Sequence, residues 1–267
     1  MKNLRKLSFL LIAGLLVFVS SCSDNNSNTN SDIELIAISS VKSGDFTVQL
    51  ESEKLLETGY NNLYWSVSKG NERVQLDSVT FSPIMDMTTM KHSCPKGNPT
   101  KSNTLDRAFE TYAVFIMPSG EMGTWSISVH AYLSSREHIE ADLPVYIANS
   151  WRLQSATIND TKYFVSWVSP VEPFVGKNTV KLMLHKKMTM MSFPSTDDFA
   201  LSMYPFMDMG AGEGHSAPFE QLTAKGNGVF EGSISYSMSG DWQITVTLGT
   251  DPTTTKDVVF NMNVISK

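Results

Sequence analysis

Fifteen methionines in 267 residues is heavy use of a residue that is not among the commonest in globular domains. They are also clustered. Met85, Met87, Met90, Met117 and Met122 crowd one stretch, and Met183, Met188, Met190, Met191, Met203, Met207 and Met209 another. The first stretch reads Met85-Asp86-Met87-Thr88-Thr89-Met90-Lys91-His92-Ser93-Cys94, and the second Met207-Asp208-Met209-Gly210-Ala211-Gly212-Glu213-Gly214-His215. In an extended segment, side chains two apart project from one face, so Met85 can converge with Met87 and Met207 with Met209 while the intervening Asp points away. A histidine trails each pair. Thioether sulfur is a soft neutral ligand, thiolate is soft and charged, and neutral imidazole suits several late transition metals. The sets Met85, Met87, Met90, His92, Cys94 and Met207, Met209, His215 therefore suit Cu(I) above all. Zinc would ask for more Cys, His or carboxylate, and magnesium or calcium for oxygen. Methionine is also a flexible core filler, and a Met-x-Met pair on a strand has a packing reading that competes with ligation. The pair recurs with the same Pro and Asp and a trailing His, which tips the expectation to copper in at least one domain.

Other soft or basic residues could extend these sets. Met117 and Met122 precede Trp125, and Met238 precedes Trp242; they could close the sites or simply pack. Met183 and His185 share a strand face opposite Leu182 and Leu184, as a ligand pair or as a solvent face beside Lys186 and Lys187. Met188, Met190 and Met191 read equally as lateral ligands or as a gap-filling patch. His130 and His138 have no soft partner nearby in sequence and read as surface residues. Asp86 and Asp208 could orient a loop or a histidine.

The elements that must position these residues are strands. Apolar residues alternate at Phe46, Val48, Leu50; Leu63, Trp65, Val67; Trp125, Ile127, Val129; Tyr163, Val165, Trp167; Val180, Leu182, Leu184; and Trp242, Ile244, Val246, Leu248. Period two with turn groups such as Lys42-Ser43-Gly44 between the runs predicts antiparallel β-structure, and no window has a convincing helical period. The halves also match. Pro83-Ile84-Met85-Asp86-Met87 returns as Pro205-Phe206-Met207-Asp208-Met209; Gly59-Tyr60-Asn61 aligns with Gly176-Lys177-Asn178, and Gly123-Thr124-Trp125 with Gly240-Asp241-Trp242. Two copies are too few for a solenoid and imply two domains that each close a core. The expected fold is all-β: two tandem immunoglobulin-like β-sandwiches, residues 33–147 and 148–267, joined near residues 147 to 150.

Residues 1–21 have the layout of a secretory signal: Lys2, Arg5 and Lys6, an apolar stretch from Leu7 to Val19, then Ser20 and Ser21. Val19-Ser20-Ser21-Cys22 resembles a bacterial lipobox, which implies that Cys22 carries lipid and becomes the new N-terminus. Residues 22–32, polar after Cys22, would be a flexible tether. The expected location is the cell envelope, most naturally the outer membrane, with the lipid as membrane partner. Cys94 is then the only other thiol, either a small buried hydrophobe or a ligand, and its neighbours favour the ligand. The formal charge is -6, from 21 basic and 27 acidic residues. Without a basic footprint, a nucleic-acid partner is not expected. No G-x-S-x-G, H-E-x-x-H or paired-acid constellation points to an enzyme.

The segment Pro205-Phe206-Met207-Asp208-Met209-Gly210 with His215, preceded by Pro173-Phe174-Val175-Gly176-Lys177-Asn178 and followed by Phe230-Glu231-Gly232 and Gly240-Asp241-Trp242, resembles the YtkA-like/FixH-like family of exported β-sandwich domains. The likeness covers about residues 160 to 265, with a weaker copy over about 40 to 145, where Thr88 replaces the glycine after Met-x-Met and a cysteine is added. The resemblance implies copper handling and assembly of copper-containing respiratory oxidases, and hence a copper-recipient protein as partner. The competing expectation is a metal-free adhesion or scaffold module in which the methionines only pack.

Overall fold

The computed structural model describes residues 34–249, 251 and 254–266; the signal segment, Cys22 and the tether lie outside the described residues. Every regular element among them is a strand, and every ladder between named strands is antiparallel. The first half contains β1 (Ile36–Ser43), β2 (Phe46–Ser52), β3 (Gly59–Lys69), β4 (Glu72–Arg73), β5 (Leu76–Asp86), β6 (Lys91–His92), β7 (Thr100–Lys101), β8 (Phe109–Phe115), β9 (Thr124–Leu133) and β10 (His138–Val145). One sheet has the order β1-β2-β3-β8-β7 with β4 beside β3, and the facing sheet β10-β9-β5-β6.

The second half contains β11 (Leu153–Ile158), β12 (Thr161–Ser169), β13 (Gly176–Lys186), β14 (Leu201–Gly210), β15 (Glu213–His215), β16 (Phe219–Gly226), β17 (Val229–Tyr236), β18 (Gly240–Leu248) and β19 (Lys256–Val264). Its sheets run β11-β12-β13-β17-β16 and β15-β14-β18-β19, the same strand order as in the first half. The described residues form a pair of tandem immunoglobulin-like β-sandwiches.

Alternation explains the layers. Along β9, Trp125, Ile127, Val129, Ala131 and Leu133 are buried, and along β18 so are Trp242, Ile244, Val246 and Leu248, while the residues between them face outward. Each fully buried aliphatic side chain contributes about 1.5–3 kcal/mol relative to exposure. Separate cores form around Trp65, Phe81 and Trp125 and around Trp167, Trp242 and Phe260. The Gly-x-Asn landmark of the repeat also has a structural role. Asn61 Nδ2 donates to the carbonyls of Glu57 and Gly59, at 2.7 and 2.8 Å, and Asn178 Nδ2 to those of Phe174 and Gly176, at 2.6 and 2.9 Å. In each copy this amide fixes the turn that launches a central strand.

The segment joining the sandwiches is fastened. Ala148 exchanges backbone hydrogen bonds with Leu56 and Thr58, at 3.0 and 2.8 Å. Arg152, buried, donates from Nε to Glu57 Oε1 at 2.7 Å and from Nη2 to the Tyr60 carbonyl at 2.7 Å. Burial alone would raise the Glu57 carboxyl, but Lys54 and Arg152 together hold it below its ordinary value. On the other side of the contact, Ser93 N donates to the Met190 carbonyl at 2.9 Å, and the Tyr112 and His185 rings lie 6.2 Å apart.

Candidate metal centre

The Pro-x-Met-Asp-Met motif ends strand β5 in the first sandwich and β14 in the second. Proline cannot donate to a ladder and is confined to edges or strand starts. Here β5 pairs along its length with β9 and meets β6 only at Met85 and Asp86, and β14 pairs with β18 and meets β15 only from Met207 onward. Among the described residues no second strand pairs with the opposite edge at Pro83 or Pro205, and Ser93 Oγ donates to the Pro83 carbonyl at 2.8 Å, so the missing N–H groups break no ladder there.

After the motif the chain turns back as a short hairpin. Asp86 Oδ1 accepts from Thr88 N at 3.0 Å and Asp208 Oδ1 from Gly210 N at 2.8 Å, so the shared aspartate caps the turn in both copies. Thr88 has φ 69°, and Gly210, Ala211 and Gly212 have φ 84°, 52° and 82°, the left-handed conformations that glycine adopts most readily. Asp86 is also held below its ordinary pKa, first by its contact with Lys91 at 2.9 Å and then by the Thr88 amide.

The turn brings His92 opposite Met85 and His215 opposite Met207. Directly opposed side chains share a face with Cβ atoms about 4.5–5.5 Å apart. Each imidazole stands edge-on to a buried tryptophan: His92 to Trp125 and His215 to Trp242, both at 5.3 Å between ring centroids. The methyl end of each methionine reaches the glycine two residues before that tryptophan; a Cβ on Gly123 would lie 3.1 Å from Met85 Cε, and one on Gly240 3.0 Å from Met207 Cε. His92 Nδ1 lies 2.8 Å from the Ser93 carbonyl and His215 Nδ1 3.2 Å from the Ser216 carbonyl. A carbonyl only accepts, so Nδ1 carries the proton in both rings, and Nε2 of the neutral ring carries the lone pair. Both Nε2 atoms are buried and have no hydrogen-bond partner among the described residues.

A histidine that donates one ring N–H to a backbone carbonyl and offers the other nitrogen is the arrangement of a metal ligand. A soft thioether opposite fits Cu(I). The fit covers fewer residues than the sequence suggested. Met87 packs against the first core beside Met85, but Met90 is 51% exposed at the hairpin turn, and Met209 is 61% exposed beyond the register shift after Asp208. Met209 therefore does not share the buried face of Met207. Cys94, expected as a ligand, is buried in the first core with Met85, and burial pushes its thiol up, toward the neutral form in the metal-free protein.

The lesser candidates separate as well. The face carrying Met183 and His185 is buried, which corrects the solvent-face reading; both residues lie on β13, and the His185 ring lies near Tyr112 of the first sandwich. Met188 and Met191 are exposed. Trp125 Nε1 donates to the Met117 carbonyl and Trp242 Nε1 to the Met238 carbonyl, at 2.9 and 3.2 Å, so these segments brace the tryptophans through their backbone. Met122 and Met238 are exposed. In sequence Gly123-Thr124-Trp125 and Gly240-Asp241-Trp242 stand out as landmarks of the repeat and not as site residues, yet they form the walls of the two centres.

The fold and these centres define a tandem β-sandwich protein with a repeated methionine–histidine–tryptophan cluster. No family model and no curated protein matches the chain. Among solved structures it is similar to FdeC, an Escherichia coli adhesin, at 14% identity over 84% of this chain and 65% of that one, with a TM-score of 0.26. It is also similar to a conserved domain protein from Bacillus anthracis, at 10% identity over 88% and 92% of the two chains (TM-score 0.30). The D00–D0 domain of intimin matches at 8% identity over 78% and 93%, with a TM-score of 0.23. The chain thus spans less than two thirds of the FdeC structure, and likenesses this distant transfer no function.

Proposed function

We propose that the chain is an envelope lipoprotein, anchored through Cys22, that holds Cu(I) at one site per sandwich for buffering or delivery to a recipient protein. The ligands are Met85 and His92 in the first sandwich and Met207 and His215 in the second, with Met87 alongside the first set. One observation carries the reading: both Nε2 atoms are buried, unpartnered and set opposite a methionine. Leaving such a nitrogen unsatisfied costs about 1–3 kcal/mol, and a soft cation removes that cost. The YtkA-like/FixH-like resemblance supports the same reading and extends it to respiratory oxidase assembly. Neutral thioethers keep the metal exchangeable, which suits a carrier and not a catalyst.

A second reading, a metal-free adhesion or scaffold module, is favoured by Met85 and Met207 being core members and by the exposure of Met209. Anaerobic titration of the purified full chain with Cu(I) against a chromophoric chelator separates the two. Binding of about two equivalents, falling to about one when Met207 and His215 are replaced by Leu and Phe, is expected. Failure to compete with the chelator favours the scaffold.

A further inference from the structure

The first sandwich carries a second cluster, on the outer face of its β10-β9-β5-β6 sheet and built without methionine. In the β9–β10 ladder Glu140 lies directly opposite His130, and His138 directly opposite Tyr132. His130 and Tyr132 are two apart on one strand, as are His138 and Glu140 on the other, so all four project from the same face. The ladder register brings three potential ligand atoms together. His130 Nδ1 lies 3.3 Å from His138 Nε2 and 3.2 Å from Glu140 Oε1, and His138 Nε2 lies 3.6 Å from Glu140 Oε1.

Hydrogen bonds do not account for this triangle. If both nitrogens donate to the carboxylate oxygen, both carry protons and the N···N edge is a donor–donor contact. If one nitrogen donates to the other, only one edge to the carboxylate remains. At most two of the three edges are satisfied by protons, whereas one cation satisfies all three. The edge lengths also select a geometry. Ligands about 2.0–2.1 Å from a tetrahedral metal are about 3.4 Å apart, and in an octahedral or square-planar site about 2.9 Å apart. The three observed edges bracket the tetrahedral value. Stacking of Tyr132 on His138, at 4.5 Å between centroids and 9° between planes, holds that ring in place.

We propose that His130, His138 and Glu140 form a zinc site: two imidazoles and one carboxylate, with the fourth tetrahedral position facing solvent. The site belongs to the first sandwich alone. At the matching place in the second, Thr247 is opposite Asp257 and donates to it at 2.6 Å, with no histidine. The site is also distinct in chemistry from the methionine–histidine centres, since nitrogen and carboxylate ligands suit Zn2+ where thioethers suit Cu(I).

The test uses the purified full chain, stripped with a chelator and titrated with Zn2+ against a chromophoric indicator. We expect about one equivalent of Zn2+ and, with Co2+ substituted, the intense visible bands of a tetrahedral centre. His130→Gln and His138→Gln should each weaken Zn2+ by at least about tenfold, with unchanged far-UV dichroism because both side chains stand on the outer face. His92→Phe and His215→Phe should leave Zn2+ binding intact. The proposal is overturned if the parent holds less than stoichiometric Zn2+ at micromolar free ion. It is equally overturned if the His130→Gln, His138→Gln double variant binds as the parent does.

Discussion

His92 and His215 occupy the same place in the two sandwiches, each opposite a methionine, edge-on to a tryptophan at 5.3 Å and bonded through Nδ1 to the carbonyl of the next residue. Two copies that differ in turn chemistry, one with Thr88 and the other with Gly210 and Gly212 at the hairpin, arrive at one side-chain arrangement. The turn residues serve only to return the histidine; the ladder register sets what it meets.

This arrangement predicts a separation of stability from binding. Replacing His92 by Phe keeps a ring against Trp125, loses the bond to the Ser93 carbonyl and removes the unpartnered Nε2. Leaving the buried Ser93 carbonyl without its donor costs about 1–3 kcal/mol, and removing the orphan returns about 1–3 kcal/mol. The melting temperature of metal-free His92→Phe should therefore stay within a few degrees of that of the parent, while one equivalent of Cu(I) binding is lost. A fall of many degrees in the metal-free variant would show that Nε2 has a compensating partner.

Much of the fold is legible in sequence because alternation survives wherever one face is buried and the other wet. β2, β3, β9, β12, β13 and β18 contain the alternating runs read from the chain. Strands β6 and β15 carry no such signal: at two and three residues they are too short for a period, and they follow turns that Asp86 and Asp208 cap. The histidines and the first methionine of each pair were readable as candidates from type and spacing. The exclusion of Met90 and Met209 was not, since it depends on where the strand stops and the turn begins. Cys94 lies in the first core, and a soft residue near a histidine looks the same in sequence whether it faces a metal or a core. His130 and His138 read only as surface residues in sequence, because their meeting with Glu140 depends on the β9–β10 register, which no local pattern displays.

Arg152 should be a principal tie between the sandwiches. It is buried, its guanidinium bridges Glu57 and the Tyr60 carbonyl, and it follows the segment hydrogen-bonded to Leu56 and Thr58. Removing one partner of a buried ion pair costs about 3–5 kcal/mol. Glu57 retains Lys54 and is partly exposed, so Arg152→Met should fall at or below the low end of that range. Equilibrium denaturation should show the loss. Unchanged stability in Arg152→Met would mean that the backbone bonds at Ala148 hold the joint without the guanidinium.

His185 should make the stability depend on pH. Its ring is buried on β13, neither nitrogen has a hydrogen-bond partner among the described residues, and burial pushes its pKa down to about 4. An imidazole in the unfolded chain titrates near about 6.5. Between these values the unfolded state binds the proton and the folded state does not, so stability rises with pH across that window. Above about pH 6.5 both states are neutral and the contribution is flat; as pH falls toward 4 it is progressively lost, by up to about 3 kcal/mol. His185→Leu cannot take up the proton in either state, so its melting temperature should fall less than that of the parent between pH 6.5 and 4. The variant should also match or exceed the parent at neutral pH, where an unsatisfied imidazole is replaced by an apolar side chain. Parallel melting curves for the two proteins across this range would place the acid sensitivity elsewhere in the chain.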